Sequence, residues 1–517
     1  MDEKKKPLVG LAGVITLAMA TELNDQVSEQ SMPDISGGLG MSHDPGTWFS
    51  SLYVSAEVVG MSLSPWLAVT FTLRRFSLVV PVLAMIASSL IPLTDNLTLL
   101  YGLRLFQGLS GGFAVPLLMT TALRVLPPPI RLYGLAAYAL TATFFPNLST
   151  SFAGLWTDLL DWRFVFWQSI PLCTLALLLL WYGMPREAPK YERFRLFDWR
   201  GFFLVLFGMG ALSTMLQQGD RFDWFNSPAI CVMGLISLAC LPLFVLNEWF
   251  HPLPLFRFQL LGRRNFAYGA TTLLVFIIVS LSSSSIPAEF LQVVAGYRPE
   301  QVYLITLQVA CMQLVMLPLM AVLLNKEWVD SRIVSLLGMA FILTACIGNT
   351  FVTSVWNRNE FYLWQTFQGL GEAMIVMPLL MMSTNALIPA EGPFASALVN
   401  TPRAVAEAVG IWLLQLMHRW RGSLHSDRIT DQIGRDRYRI FQGENPAFQH
   451  QAPLLPNGMP RAPGSLEAFR AQVVKQTAVL TISDTFFVIC GIVVFLMVLV
   501  LTLPQRTYPP RIVFVKK

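Results

Sequence analysis

Two stretches of this chain are near copies of each other: RLFQGLSGGFAVPLLMTTALRVLPP (residues 104–128) and QTFQGLGEAMIVMPLLMMSTNALIPA (residues 365–390). RLFQG falls on QTFQG and PLLM on PLLM, with one extra residue in the second copy. Both are apolar and helix-compatible, so they mark equivalent positions of an internal repeat. Repeated halves about a central site are a common way to build a membrane carrier. The copies differ at their first residue, which is Arg104 in one and neutral Gln365 in the other.

The rest of the chain fits this reading. Of 517 residues, 54% are hydrophobic and only 13% charged, about half the ~25% charged usual in soluble domains. Segments such as 77–94 and 171–185 carry no charge. About 20 apolar residues cross a bilayer, and helices satisfy the backbone there. An all-α polytopic membrane protein is expected. Fourteen spans are predicted, starting near residues 8, 47, 76, 97, 132, 163, 201, 229, 266, 301, 332, 360, 393 and 483. The repeat copies then occupy spans 4 and 12. This predicts a six-helix half over 1–190, two inserted helices over 191–262, and a second six-helix half over 263–517. The basic, then apolar start is similar to a signal peptide. It runs on through polar residues to Gly37 without a small-residue cleavage site, so it is read as span 1.

With the amino terminus inside, 21 Lys and Arg residues fall on cytoplasmic segments and 4 on the short outer connections. The positive-inside rule therefore puts both termini in the cytoplasm. The net charge of +5 follows from this bias and gives no reason to invoke nucleic acid. The segment 419–476 is polar and turn-rich. It reads as an outer loop, part helix (DRITDQIGRDRYRIF) and part irregular. All six cysteines lie in predicted spans with no zinc-type spacing, and no histidine lies well inside a span. Neither a metal site nor a membrane-embedded enzyme is expected.

Charges inside the spans are the functional candidates, because each costs roughly 2.5–3.5 kcal/mol at mid-membrane. Glu22, Asp25 and Glu29 in span 1 follow i, i+3, i+7 spacing, flanked by Gln26. At about 100° per residue they form one stripe. Stacked carboxylates repel one another and hold protons more tightly, which suits a proton-binding site. Glu57 in span 2 is a further candidate. Glu372 replaces Gly111 of the first copy and is read as facing a substrate cavity, as are Gln26, Gln107, Gln365, Arg403 and Glu407; the last two are also spaced to pair with each other.

The chain resembles the fourteen-span drug:proton antiporter branch of the major facilitator superfamily, EmrB type. The resemblance covers nearly the whole sequence. RLFQGLSGG is similar to the arginine-containing motif of span 4, and DWRFVFWQSIP to the lead into span 6. FDWRGFFLVLFGMGALSTMLQQGDRFDWFNS resembles span 7 and its loop. HPLPLFRFQLLGRRNF is similar to the segment before span 9, and QTAVLTISDTFFVI to the start of span 14. In span 1 the family's aspartate position holds Asn24. The antiporter motif of span 5 is altered to STSFAG, involving Ser149, Thr150, Ala153 and Gly154, with Pro146 one turn earlier.

The resemblance implies a major facilitator fold and efflux of small lipophilic compounds driven by the proton gradient, with no cofactor. It implies that Arg104 pairs with Asp25 or Glu22. It further implies a place in a Gram-negative inner membrane, docked through the outer loop to a periplasmic adaptor of EmrA type and so to an outer-membrane channel.

Overall fold

The computed structural model describes residues 7–126, 131–326, 328–385, 387–388, 391–435 and 465–502. The described residues are helices joined by turns. We number the long ones in chain order: α1 (Pro7–Gln30), α2 (His43–Phe71), α3 (Leu73–Leu90), α4 (Leu97–Val125), α5 (Arg131–Leu159), α6 (Ser169–Gly183), α7 (Trp199–Gln218), α8 (Pro228–Phe250), α9 (Arg264–Ser280), α10 (Tyr303–Leu324), α11 (Ser331–Thr350), α12 (Arg358–Asn385), α13 (Gly392–Arg435) and α14 (Ser465–Leu501). A short helix, Phe164–Trp167, leads into α6, and another, Ser285–Val293, prolongs α9 after a turn. Eleven of these passages are long and apolar enough to cross a membrane. The more polar α5, α12 and α13, of 29, 28 and 44 residues, occupy the other three expected positions.

Helix starts follow local chemistry. Asn96 Oδ1 accepts from the N–H groups of Thr98 and Leu99 at the head of α4. Asp198 and Asp330 cap α7 and α11 in the same way. The α2–α3 turn is one residue, Thr72, at φ 86°, a backbone region that disfavours a β-branched side chain. Its hydroxyl accepts from Arg75 N–H and helps hold the turn.

Glycine sets the close contact between α2 and α4. A Cβ on Gly108 would stand 2.2 Å from the Tyr53 carbonyl oxygen, and one on Gly112 would stand 2.2 Å from that of Glu57. The GLSGG run thus lets the α4 backbone lie directly on α2, the small-residue packing that membrane helices use in place of a hydrophobic drive.

The first six helices meet the last six through α2 against α13 and α5 against α10. Ser62 donates to Thr401 across the first contact at 3.3 Å. Tyr138 of α5 donates to Asn400 of α13 at 2.8 Å, and Ser396 of α13 to the Pro116 carbonyl at 2.9 Å. The α7–α8 pair stands to one side: the apolar window of α8 is 17% buried, against 83% for α4. It touches both groups, α2 through Ser55–Thr214 and Gln218–Ser51, and α13 through a Trp224–Trp412 edge contact. The expected boundaries at 190 and 262 fall outside the long helices.

Two expectations are corrected. Residues 419–435 are not loop but the continuous end of α13, and the last helix begins at Ser465 rather than near 483. At ~1.5 Å per residue α13 is about 66 Å long, twice the ~30 Å hydrocarbon core. The polar sequence marks where the helix leaves lipid, not where it ends. The remainder of the expected loop, 436–464, and the basic tail, 503–517, lie outside the described residues, as do Lys4–Lys6.

Candidate functional site

The charges expected to form one stripe divide between two arginines. On α1, Asp25 Oδ1 lies 3.6 Å from Arg104 Nη2 of α4. Arg104 has no solvent exposure. Its guanidinium donates to Ser28 Oγ and Gln107 Oε1, both at 2.7 Å, and lies over the rings of Tyr53 and Phe49, with centroids at 4.3 and 4.8 Å. Gln107 in turn donates to Ser88 Oγ at 3.0 Å, which also accepts from Asn24 at 3.4 Å. Planar delocalised charge suits this combination of fork and ring contacts. Of the two partners expected for Arg104, the geometry selects Asp25.

Glu22, one turn earlier on α1, faces a different cation. Its Oε1 is 3.6 Å from Arg403 Nη2 of α13, in the other half of the molecule. Arg403 Nε is 3.4 Å from Glu407, the i, i+4 pair expected from sequence. Its other nitrogens donate to Thr141 of α5, to the hydroxyl at 3.0 Å and to the carbonyl at 3.3 Å. Arg403 is 2% exposed. It therefore joins α1, α5 and α13 at one point.

The other candidates are dispersed. Glu29 is exposed and Gln26 half-buried, so the third member of the stripe leaves the buried site. Glu57 is buried on α2. Gln107 belongs to the Arg104 cluster and lines a small pocket of about 10 Å³ beside it. Gln365 is fully buried, and neither polar atom of its side chain has a partner. Glu372 is 1% exposed and bonded to Gln313 and Gln368 inside the second half. On α5, helix continues through Pro146, with Ser149, Thr150 and Ala153 buried and Gly154 half-buried.

Sequence reading missed Ser28, Tyr53, Thr141, Tyr138, Asn400 and Gln313. Ordinary polar and aromatic residues carry no signal until a neighbouring helix brings a charge to them. Gln368 could have been found, because it aligns with Gln107 in the repeat.

One well-formed cavity has no charged residue in its lining. It has a volume of about 790 Å³ between α2, α4, α7 and α8 and opens past Leu105, Phe106, Phe207 and Ile236. Gly102 and Gly210 line it, and a Cβ on either would meet nothing within 4 Å. Its lining includes none of the residues of the two buried ion-pair clusters.

A helical bundle with arginine–carboxylate pairs inside it defines a carrier class, and the chain belongs to the Major Facilitator Superfamily, whose pattern matches residues 14–411. Among relatives, it is 27% identical to the multidrug export protein EmrB of Haemophilus influenzae, over 83% of this chain and 85% of that protein. It is 25% identical to EmrB of Escherichia coli K12, over 96% of each chain. It is also 26% identical to the fatty acid resistance protein FarB of Neisseria gonorrhoeae, over 80% of each. The fold is shared with the proton:xylose symporter XylE, with a TM-score of 0.53 at 13% identity over 94% of each chain. The human organic anion transporter MFSD10 superposes with a TM-score of 0.52 at 12% identity, over 95% of this chain and all of the other.

Proposed function

We propose that the chain is a proton-driven exporter of lipophilic compounds, in which a proton entering from outside drives a substrate out. The observation that carries this reading is the pair of buried ion pairs on one helix. Asp25 ties α1 to α4 within the first half, and Glu22 ties α1 to α13 across the halves. Protonating a carboxylate removes its hold on the arginine. Protonation of Asp25 loosens the packing within the first half, and protonation of Glu22 releases a link that joins the two. Proton arrival is thereby coupled to rocking of the halves, the general route to alternating access. The similarity to proteins named for multidrug export and for fatty acid resistance supports lipophilic substrates.

The same reading puts both termini in the cytoplasm of a Gram-negative cell and the chain in its inner membrane. The long ends of α13 and α14 then project into the periplasm, where they would dock an adaptor of EmrA type leading to an outer-membrane channel. Export of one specific metabolite is the second reading, supported by the departures from the family pattern at Asn24 and Thr150.

The deciding test is purified protein in liposomes under an imposed pH gradient, with a lipophilic dye as probe. Dye movement that follows the gradient supports the proposal. Dye movement indifferent to it overturns proton coupling. Shortening 436–464 to a Gly-Ser linker tests the docking: dye movement in liposomes should persist while adaptor co-purification is lost.

A further inference from the structure

The second repeat copy replaces an arginine with Gln365, yet it adds a carboxylate, Glu372. That exchange leaves a buried acid without a base. Glu372 Oε2 accepts from Gln313 Nε2 at 3.0 Å and Oε1 from Gln368 Nε2 at 3.4 Å. Gln368 Nε2 also donates to Ser282 Oγ at 2.6 Å, in the turn after α9, and Gln313 Nε2 to the Gly369 carbonyl at 3.1 Å. These partners come from α9, α10 and α12, and all are neutral. The titratable groups that reach the site from α11 and α14 are the thiols of Cys346 and Cys490. Among the described residues no lysine or arginine acts on Glu372.

The contrast with the first half is direct. Asp25 and Glu22 each have an arginine at 3.6 Å. Glu372 is 1% exposed, and its partners are the amides of Gln313 and Gln368 and the hydroxyl of Ser283, all neutral. An ionised carboxylate so placed would be an uncompensated charge in a dry interior, which proteins avoid by neutralising the group. The surrounding balance of donors and acceptors points the same way. Gln313 Oε1, on the amide that touches the carboxylate, has no partner. An unpaired acceptor beside a carboxyl is satisfied by one added O–H donor.

We propose that Glu372 is a further proton-binding carboxyl, forming a second proton site housed entirely in the C-terminal half and protonated while that half is sealed. The O–H bond forms when the half is open to outer water and breaks to cytoplasmic water when it opens inward, so each half carries its own proton. The inference rests on the exporter reading for its role in transport. The protonation state itself does not, and is measured separately.

The test uses the full chain in lipid bilayers, with infrared difference spectra of the carboxyl C=O region at neutral pH and no substrate. Wild type minus Glu372→Gln should show a protonated-carboxyl band, and Glu372→Asp should retain a shifted one. Absence of the band in that difference means Glu372 is ionised and overturns the proposal. A band that appears only when sodium is withdrawn assigns the nest to a metal cation and also overturns it. In liposomes with a lipophilic dye, Glu372→Gln should move one proton fewer per dye. An unchanged ratio in the mutant, with wild-type dye movement still following the gradient, rejects the second site and leaves the exporter reading standing. If Glu372→Gln does not reach the membrane, the shifted band in Glu372→Asp decides the first measurement.

Discussion

Arg403 of α13 lies 3.6 Å from Glu22 of α1, and the two residues belong to opposite halves of the molecule. Among the described residues, this contact is a direct charged link between the half that carries Asp25 and Arg104 and the half that carries Glu372. Arg403→Ala should strand Glu22 inside the bundle, and breaking a buried pair costs about 3–5 kcal/mol. Membrane abundance should fall. The neutral double variant, Glu22→Gln with Arg403→Gln, should recover abundance without recovering gradient-driven dye movement. Recovery of both would mean that the pair only supports packing.

Arg104 makes a narrower prediction. Arg104→Lys keeps the charge but cannot hold Ser28 and Gln107 at once while lying over Tyr53. It should reach the membrane and lose most coupling, as should Asp25→Asn. Gradient-driven transport of a well-expressed Arg104→Lys protein at the parental rate would remove the fork from the mechanism.

Glu29→Gln should behave almost as the parent. The residue is exposed, and surface substitutions of this kind usually change stability by less than about 0.5 kcal/mol. Thermal melting in detergent and the pH profile of transport check it together. A large fall in transport at unchanged stability would return Glu29 to the proton path.

At the opposite end of the bundle, Arg263 donates to both oxygens of Glu391, at 2.7 and 2.8 Å. These bonds hold the Glu391 carboxyl below the usual carboxylate range. A depressed folded value means the pair's contribution is complete above the ordinary Glu value of about 4.3. It is lost as pH falls through the depressed one. Melting temperature should therefore drop in acid, and Glu391→Gln should flatten that part of the profile. At neutral pH the variant should lose about 1 kcal/mol, the half-exposed guanidinium being screened by water.

Glycines give a paired stability test. Gly112→Ala drives a methyl against the Glu57 carbonyl at 2.2 Å and should force α2 and α4 apart, lowering folded protein sharply. Gly210→Leu projects into the 790 Å³ cavity, meets nothing within 4 Å at its Cβ, and should leave the melting temperature unchanged or higher. Equal damage from both would mean that the cavity is filled in the membrane by something the protein needs.

The order of helices was readable because lipid imposes one rule on all of them, and each charge-free run satisfied it. The repeat was readable because Phe-Gln-Gly and Pro-Leu-Leu-Met occur in both copies. What could not be read was which face of α1 meets which arginine. Glu22 and Asp25 sit 60° apart around the helix, and that small angle sends them to helices 300 residues apart in sequence. Arg403 illustrates the same limit: Glu407 at i+4 was visible as a partner, whereas Glu22 and Thr141 required the two halves to be docked. The end of the α13 helix was misjudged because polarity changes at the membrane surface while helix propensity does not.

The unbroken course of α13 has a mechanical consequence. The helix that holds Arg403 in the bundle continues as one rod to Arg435, so about 30 Å of it lies beyond the hydrocarbon core. A rod has no slack. Each degree by which its buried part tilts sweeps the far end sideways by about 0.5 Å, on that length. Side contacts brace it near its base, where Arg419 meets Asp220 and Asp223 and where Arg421 and His425 hold Asp484 of α14. Loss of the Glu22 contact at its root would load that brace first, and whatever tilt the brace transmits would register as displacement beyond it.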